Sequence, residues 1–290
     1  MRYEEFKMEL KERVEKSMKT GIKVNLDTIK KNNRSEMEVL TFYESGINMM
    51  PAIHLDELYE EYLKDENMKK VVQMILEILE TKAHINRKKI IGSWDGVQGL
   101  IFIKLINYEW NSQMLQTVPH KKILDLAAVF QVRLCKDSNC VASVLIKEPM
   151  LNGWGITAEE LWETAMKNLK SEVYTINGIG DVLADIIDVR EEIENESCRM
   201  YVLGNQELYN GATGILRHDL MEKFSTKIKG DFYILPSSIH EVILVPVNKE
   251  ICADELKKMV IEVNETQVRR DEQLSNSVYR YNCETGQIEL

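Results

Sequence analysis

No Gly-Lys-Ser/Thr phosphate loop, no paired Cys or His spacing of a zinc site and no Gly-x-Ser-x-Gly elbow occurs in this chain. Each absence removes a function class whose chemistry depends on a local motif: nucleotide triphosphate cradling, structural zinc, and the commonest strand-borne serine nucleophile. Long apolar runs are missing too, and none approaches the roughly 20 residues of a membrane span. The opening residues are amphipathic and acidic, without the apolar centre of a signal peptide. Positive charge is in deficit: 37 Lys and Arg stand against 47 Asp and Glu, a net charge of -10. That field opposes direct binding to phosphate backbones, so the patches Lys30, Lys31, Arg34 and Arg87, Lys88, Lys89 read as wetted surface. The five cysteines, at 135, 140, 198, 252 and 283, form no metal set and fit reduced thiols of a cytoplasmic protein. Cys135 and Cys140 flank a four-residue loop, and no second Cys or His pair stands nearby to complete a site.

What is present is an ordinary globular composition, 44% hydrophobic and 29% charged with few Pro and Gly, which argues against disorder. A chain of 290 residues suits two modules. The basic, then Gly-rich stretch between His84 and Gly99 places the boundary, giving an N-terminal helix-strand-helix module over 1–92 and an α+β domain over 93–290. The N-terminal module opens with a helix on Tyr3, Phe6, Leu10, Val14 and Met18 that Gly21 should end. Alternating strands follow over 22–26, 37–41 and 52–55, then helices capped by Asp56 and Asn67. The second of these carries Met68, Val71, Val72, Ile75, Leu76 and Leu79 at helical spacing.

In the second domain, Val97, Leu100, Ile101, Lys104, Leu105 and Tyr108 have helical spacing, closed by Pro119. Residues 124–134 alternate as a long strand, turning through 136–139 into a hairpin partner. Thr157 and Glu160 form a capping box ahead of Leu161, Trp162, Ala165 and Leu169. Further helices are predicted over 182–193, over 216–224, and from a cap at Asp254 through Leu256, Met259, Val260 and Val263. Tyr201, Val202 and Leu203 pair with a strand over 212–216, and a terminal hairpin turns at 284–286. The segment 231–246 reads as two buried strands, 232–235 and 242–245, around a polar elbow. Strands arriving as adjacent pairs between helices predict α+β, with a mixed or antiparallel sheet rather than a doubly wound one.

The segments Leu105-Ile106-Asn107-Tyr108, Val118-Pro119-His120, Asp125-Leu126-Ala127, Asn152-Gly153-Trp154-Gly155-Ile156-Thr157 and Leu235-Pro236-Ser237-Ser238-Ile239-His240-Glu241 carry a resemblance. The chain resembles a bacterial family known as a domain of unknown function, common in Gram-positive gut anaerobes. The likeness extends from Lys31-Asn32-Asn33 to Leu274-Ser275-Asn276-Ser277-Val278-Tyr279. It implies one characteristic unit rather than a fusion, and implies no activity, cofactor or partner.

Ser237, Ser238, His240 and Glu241 bring hydroxyls, an imidazole and a carboxylate into one elbow. A hydrolytic relay needs the imidazole at hydrogen-bond reach of a serine with a third group behind it, which neighbours in sequence rarely achieve. The alternative is a turn whose hydroxyls bond local amides. Asp181, Asp185 and Asp188 share a helix face and read as a solvated acidic surface before a cation site. His54, His84, His120 and His218 stand alone. Gly211-Ala212-Thr213-Gly214 lacks the ending of a phosphate loop. Trp154, between glycines, either packs under its loop or anchors a partner.

The favoured expectation is a non-catalytic cytoplasmic binding or adaptor protein, without cofactor, metal or membrane span, whose partner is another protein or a small ligand. Its binding residues would be Ser237, Ser238, His240, Glu241 and Trp154. The alternatives are a hydrolase-like enzyme at 236–241 and an acidic protein occupying a partner's basic nucleic-acid groove.

Overall fold

The spacing of Phe6, Leu10 and Val14 is realised in α1 (Tyr3–Ser17), which buries all three. A computed structural model describes residues 1–18, 22–44, 52–83, 92–137, 140–180, 200–248 and 252–290. Gly21, His84, the 87–89 patch, the expected helix over 182–193 with Asp181, Asp185 and Asp188, and Cys198 lie outside them, as do the side chains of Cys135 and Cys140. Cys252 and Cys283 are exposed free thiols. The chain divides into two units, Met1–Arg87 and Lys88–Leu290.

In the first unit, β1 (Ile22–Lys30), β2 (Glu36–Glu44) and β3 (Ala52–His54) form an antiparallel sheet in that order. Asn33 and Arg34 take the left-handed conformation between β1 and β2, where Asn is among the tolerated residues. Helices α1, α2 (Leu55–Asp65) and α3 (Met68–Ala83) lay their apolar stripes on the sheet, closing a core of Phe6, Leu10, Leu40, Phe42, Leu55 and Ile75. Asn67 caps α3, accepting from Lys70 N–H at 3.2 Å. Asp56 lies inside the first turn of α2, whose capping position is His54. The buried Lys7 ammonium is held between Glu4 at 2.9 Å and Glu38 at 2.7 Å, the pairing a buried cation requires.

The second unit is α+β, with two antiparallel sheets. In the four-stranded sheet, β4 (Ile101–Asn107) and β5 (His120–Ile123) flank β6 (Leu126–Asp137), which also pairs with β7 (Cys140–Leu145). Two helices follow, α4 (Glu148–Trp154) and α5 (Ala158–Ser171). Strands β8 (Tyr174–Gly178) and β9 (Tyr201–Asn205) lead to α6 (His218–Ile228), then β10 (Phe232–Leu235) and β11 (Val242–Pro246). Helix α7 (Ala253–Thr266) is capped at Cys252, with Asp254 inside its first turn rather than at the cap. After it the hairpin β12 (Tyr279–Asn282) and β13 (Gln287–Glu289) completes a six-stranded sheet, ordered β13-β12-β10-β11-β9-β8.

One core joins the sheets: Ile103, Leu105, Phe130 and Val132 from the first, Phe232, Ile234, Val242 and Leu244 from the second, with Leu161 and Leu169 of α5. On the far face of the second sheet, Leu235 and Val245 meet Leu256 and Val260 of α7. Strands β10 and β11 are thus covered on both sides, which is why they read as continuous apolar runs. They pair antiparallel, with Ile234 opposite Leu244. Asp231, just before β10, accepts from Cys283 N–H at 2.9 Å and from the Arg280 guanidinium at 2.5 Å. The Cys283 amide first, then Arg280, hold its carboxyl down at about 2, tying the terminal hairpin to β10.

Two expected elements are overturned. The helix expected through residues 97–108 is a short helical turn, Trp94–Val97, followed by β4. Ile101, Ile103 and Leu105 face the main core, while Ile106 joins a second cluster with Leu115, Val118, Ala127 and Val129 on the other face. Burial on both faces erases the two-residue period and leaves apolar pairs that mimic helical spacing. The strand expected over 212–216 is a 3₁₀ turn, Gly211–Leu216, with residues 211–215 buried. Gly211 and Gly214 permit close approach of His240 O and Tyr174 here rather than strand pairing.

Candidate functional site

The elbow at 236–241 is bound into its surroundings by main-chain bonds. Pro236 and Ser237 carbonyls accept from Ser275 and Leu274 amides at 2.9 and 3.1 Å. Ile239 N–H donates to Glu272 O at 2.9 Å, and Ile239 O accepts from Ala212 N–H at 3.3 Å. Ser238 Oγ accepts from the His240 amide at 3.0 Å, a local turn bond. His240 Nδ1 accepts from Asn210 N–H at 3.3 Å, which sets the ring proton on Nε2. Nε2 lies 3.7 Å from Glu272 Oε1, beyond hydrogen-bond reach, and the ring faces Tyr209 with centroids 5.6 Å apart. Among the described residues no hydrogen bond joins the imidazole to Ser237, Ser238 or Glu241. The elbow therefore brings its sequence neighbours together as a scaffold, without the serine–imidazole relay that hydrolysis needs.

A second polar centre lies at Asp125, between β5 and β6. Its carboxylate accepts from Ser275 Oγ at 2.6 Å, Ser277 Oγ at 2.9 Å and Tyr279 OH at 2.5 Å. Asn107 Nδ2 donates to Leu274 O at 3.2 Å beside it. Burial, and then the Asp125 charge, push the Tyr279 phenol up, so it stays protonated and donating. Ser275 and Tyr279 are fully buried, which makes this a carboxylate clamp between the β5–β6 turn and the chain entering β12. Segments that are distant in sequence, around residues 107, 125, 236 and 275, converge here.

Among the described residues a cleft of about 740 Å³ between the two sheets of this unit has room for a ligand. It is lined from four places in the chain: residues 99–102 entering β4, Arg133 and Leu134 of β6, Asn168 and Ser171 of α5 with Glu172 and Val173 after them, and residues 205–207 at and after the end of β9. Arg133 lies over the Phe102 ring, 4.7 Å from its centroid. Its guanidinium stands 3.3 Å from Glu207 and 3.6 Å from Glu172, longer than charge-assisted bonds of about 2.7–2.9 Å. Glu172 also accepts from Tyr174 OH at 2.9 Å, and that phenol is pushed up by burial and then by the Glu172 charge. Leu100 and Val173 are exposed on the cleft walls. From Arg133, a chain of rings through Phe102 and Tyr209 reaches His240, so the cleft and the elbow share one support.

Trp154 does not stand in a loop. It ends α4, with Gly155 left-handed behind it, and its half-buried ring packs on Trp94 at 5.9 Å and against the core. Ser237, Ser238, His240 and Glu241 do not line the cleft; nor does Trp154. Arg133, Glu172 and Glu207 had no local signal to mark them, because their meeting is made by strand pairing.

The model of a family of unknown function, DUF5688, matches residues 3–283, and the chain belongs to that family. No curated protein and no solved structure matches the chain.

Proposed function

We propose that this chain is a cytoplasmic, non-catalytic binding protein whose small-ligand site is the cleft around Arg133. The observation supporting this reading is the cleft's construction. Its volume, about 740 Å³, falls in the range of small-molecule sites, and its lining mixes apolar Leu100, Ile101, Phe102, Leu134 and Val173 with the polar side chains of Arg133, Asn168, Glu172, Asn205 and Glu207. Among the described residues no helix is long and apolar enough to cross a membrane. The hydrolase alternative finds less support, because the His240 ring is engaged by a backbone amide. The groove-occupying alternative needs an unopposed acidic face. On α1 and α2, however, Glu9, Glu12 and Glu61 each stand within 2.7 Å of a basic partner.

A blocking substitution tests the reading. Gly99 lines the cleft, and nothing lies within 4 Å of where its Cβ would stand. Gly99→Trp is expected to fold with stability within about 0.5 kcal/mol of wild type, as substitutions into open space do. In a thermal-shift screen of small metabolites on the full chain, compounds that raise the wild-type midpoint should leave the variant unmoved. Compounds stabilising both proteins equally would place binding elsewhere and contradict the reading.

A further inference from the structure

We propose that the outer edge of β8 docks a second copy of this chain, which adds its own β8 antiparallel and forms a two-fold dimer independent of the cleft. β8 ends the six-stranded sheet and, among the described residues, pairs with β9 alone. Gln206 N–H donates to Val173 O at 3.3 Å, and Ile179 N–H to Met200 O at 2.9 Å. Antiparallel ladder bonds recur at every second residue, so Val173, Thr175, Asn177 and Ile179 turn their main-chain groups toward β9. The N–H and C=O of Tyr174 and Ile176, with the N–H of Gly178, therefore point outward. Among the described residues no hydrogen bond reaches them.

Sheet edges are ordinarily blunted by charge, proline, a bulge or short length. Residues 173–178 hold no charged residue and no proline, and the register with β9 runs unbroken from Tyr174 opposite Asn205 to Gly178 opposite Tyr201. Other edges are managed: Asn168 Nδ2 of α5 bonds the Ile101 carbonyl of β4 at 2.9 Å, and β13 has three residues, one of them Glu289. β8 is also the strand that such an edge accepts. Thr175 and Ile176 are β-branched, and with no charge along the edge two copies meet there without opposing like charges, despite a net charge of -10. A two-fold axis at Ile176 brings the outward groups into phase. Ile176 bonds Ile176 of the second copy, and each Gly178 N–H meets the opposite Tyr174 O. The half-buried Tyr174 then faces a glycine, which cannot crowd it, and the exposed Thr175 and Asn177 face each other as a neutral, non-hydrogen-bonded pair. Val173, 56% exposed, continues the row. Addition at a strand edge takes its affinity from main-chain bonds, and a two-fold pairing uses the same patch on both copies.

Sedimentation equilibrium of the full chain tests the pairing. The wild type is expected to show a monomer–dimer equilibrium at concentrations up to about 100 μM, the range of a small interface. Two double variants at exposed positions read the register: Thr175→Glu with Asn177→Glu, and Thr175→Lys with Asn177→Lys. Each sets like charges directly opposite one another across the two-fold and should weaken self-association about tenfold or more, with circular dichroism unchanged. Mixed together, the acidic and basic variants should pair with each other at least as tightly as the wild type does with itself. A wild type that stays monomeric at about 100 μM would overturn the proposal. So would a dimer that both variants retain, or two variants that fail to pair when mixed.

Discussion

Replacing Asp125 by alanine should cost the Lys88–Leu290 unit about 3–5 kcal/mol. Three hydroxyls donate to this carboxylate at 2.5–2.9 Å, and hydrogen bonds to a charged group contribute about 1.5–3 kcal/mol each. They act on one group, so their losses do not simply add. The larger part of the effect is what remains behind: Ser275 and Tyr279 are fully buried, and without the carboxylate their hydroxyls have lost their charged acceptor away from water. Asp125→Asn keeps one oxygen as acceptor and should lose less. Denaturant unfolding followed by tryptophan fluorescence measures both. A loss below about 1 kcal/mol for Asp125→Ala would mean that the clamp is decoration on a joint held by apolar packing alone.

Gly211→Ala should be nearly as damaging, at about 3 kcal/mol or more, for a different reason. A Cβ there would stand 2.3 Å from His240 O, 2.8 Å from Asn205 N and 3.0 Å from Gly204 Cα. All three are backbone atoms, which cannot rotate aside as a side chain would, so the cost lies at the upper end for overpacking. The displacement falls on the joint that holds the elbow against the 3₁₀ turn, where Ala212 N–H reaches Ile239 O. Amide exchange around residues 239–242 should therefore rise along with the loss of stability. Gly230→Ala is the control: nothing lies within 4 Å of its Cβ position, and its stability should stay within about 0.5 kcal/mol of wild type. Equal, small effects at the two glycines would show that the elbow tolerates movement.

The elements legible in the sequence were those whose causes are local. Thr157 and Glu160 close their capping box with bonds of 2.8 and 3.2 Å, and the hairpins β10–β11 and β12–β13 stand where turn residues interrupt apolar runs. β4 was misread because two cores claim its opposite faces, so its pattern has no polar side to set the period. The 3₁₀ turn at 211–216 was misread because close approach to His240 O and to Tyr174 is a tertiary demand that small residues satisfy without announcing it. At the elbow the residues were found and their role was not settled by composition. Whether an imidazole meets a serine or a backbone amide depends on Asn210, 30 positions away. Nor could the cleft be seen. Its four segments run from residue 99 to residue 207, and Glu172 and Glu207 come to Arg133 only once β8, β9 and β6 are in place.

The central claim is that ligand binding belongs to the cleft and that the elbow is its scaffold. Amide chemical-shift mapping of the full chain during titration with a compound that raises its thermal midpoint tests it most directly. The account predicts the largest shifts at residues 99–102, 133–134, 168–173 and 205–207, with smaller ones reaching His240 through Phe102 and Tyr209. Shifts centred on residues 237–241, with Arg133 and Glu207 unmoved, would contradict it.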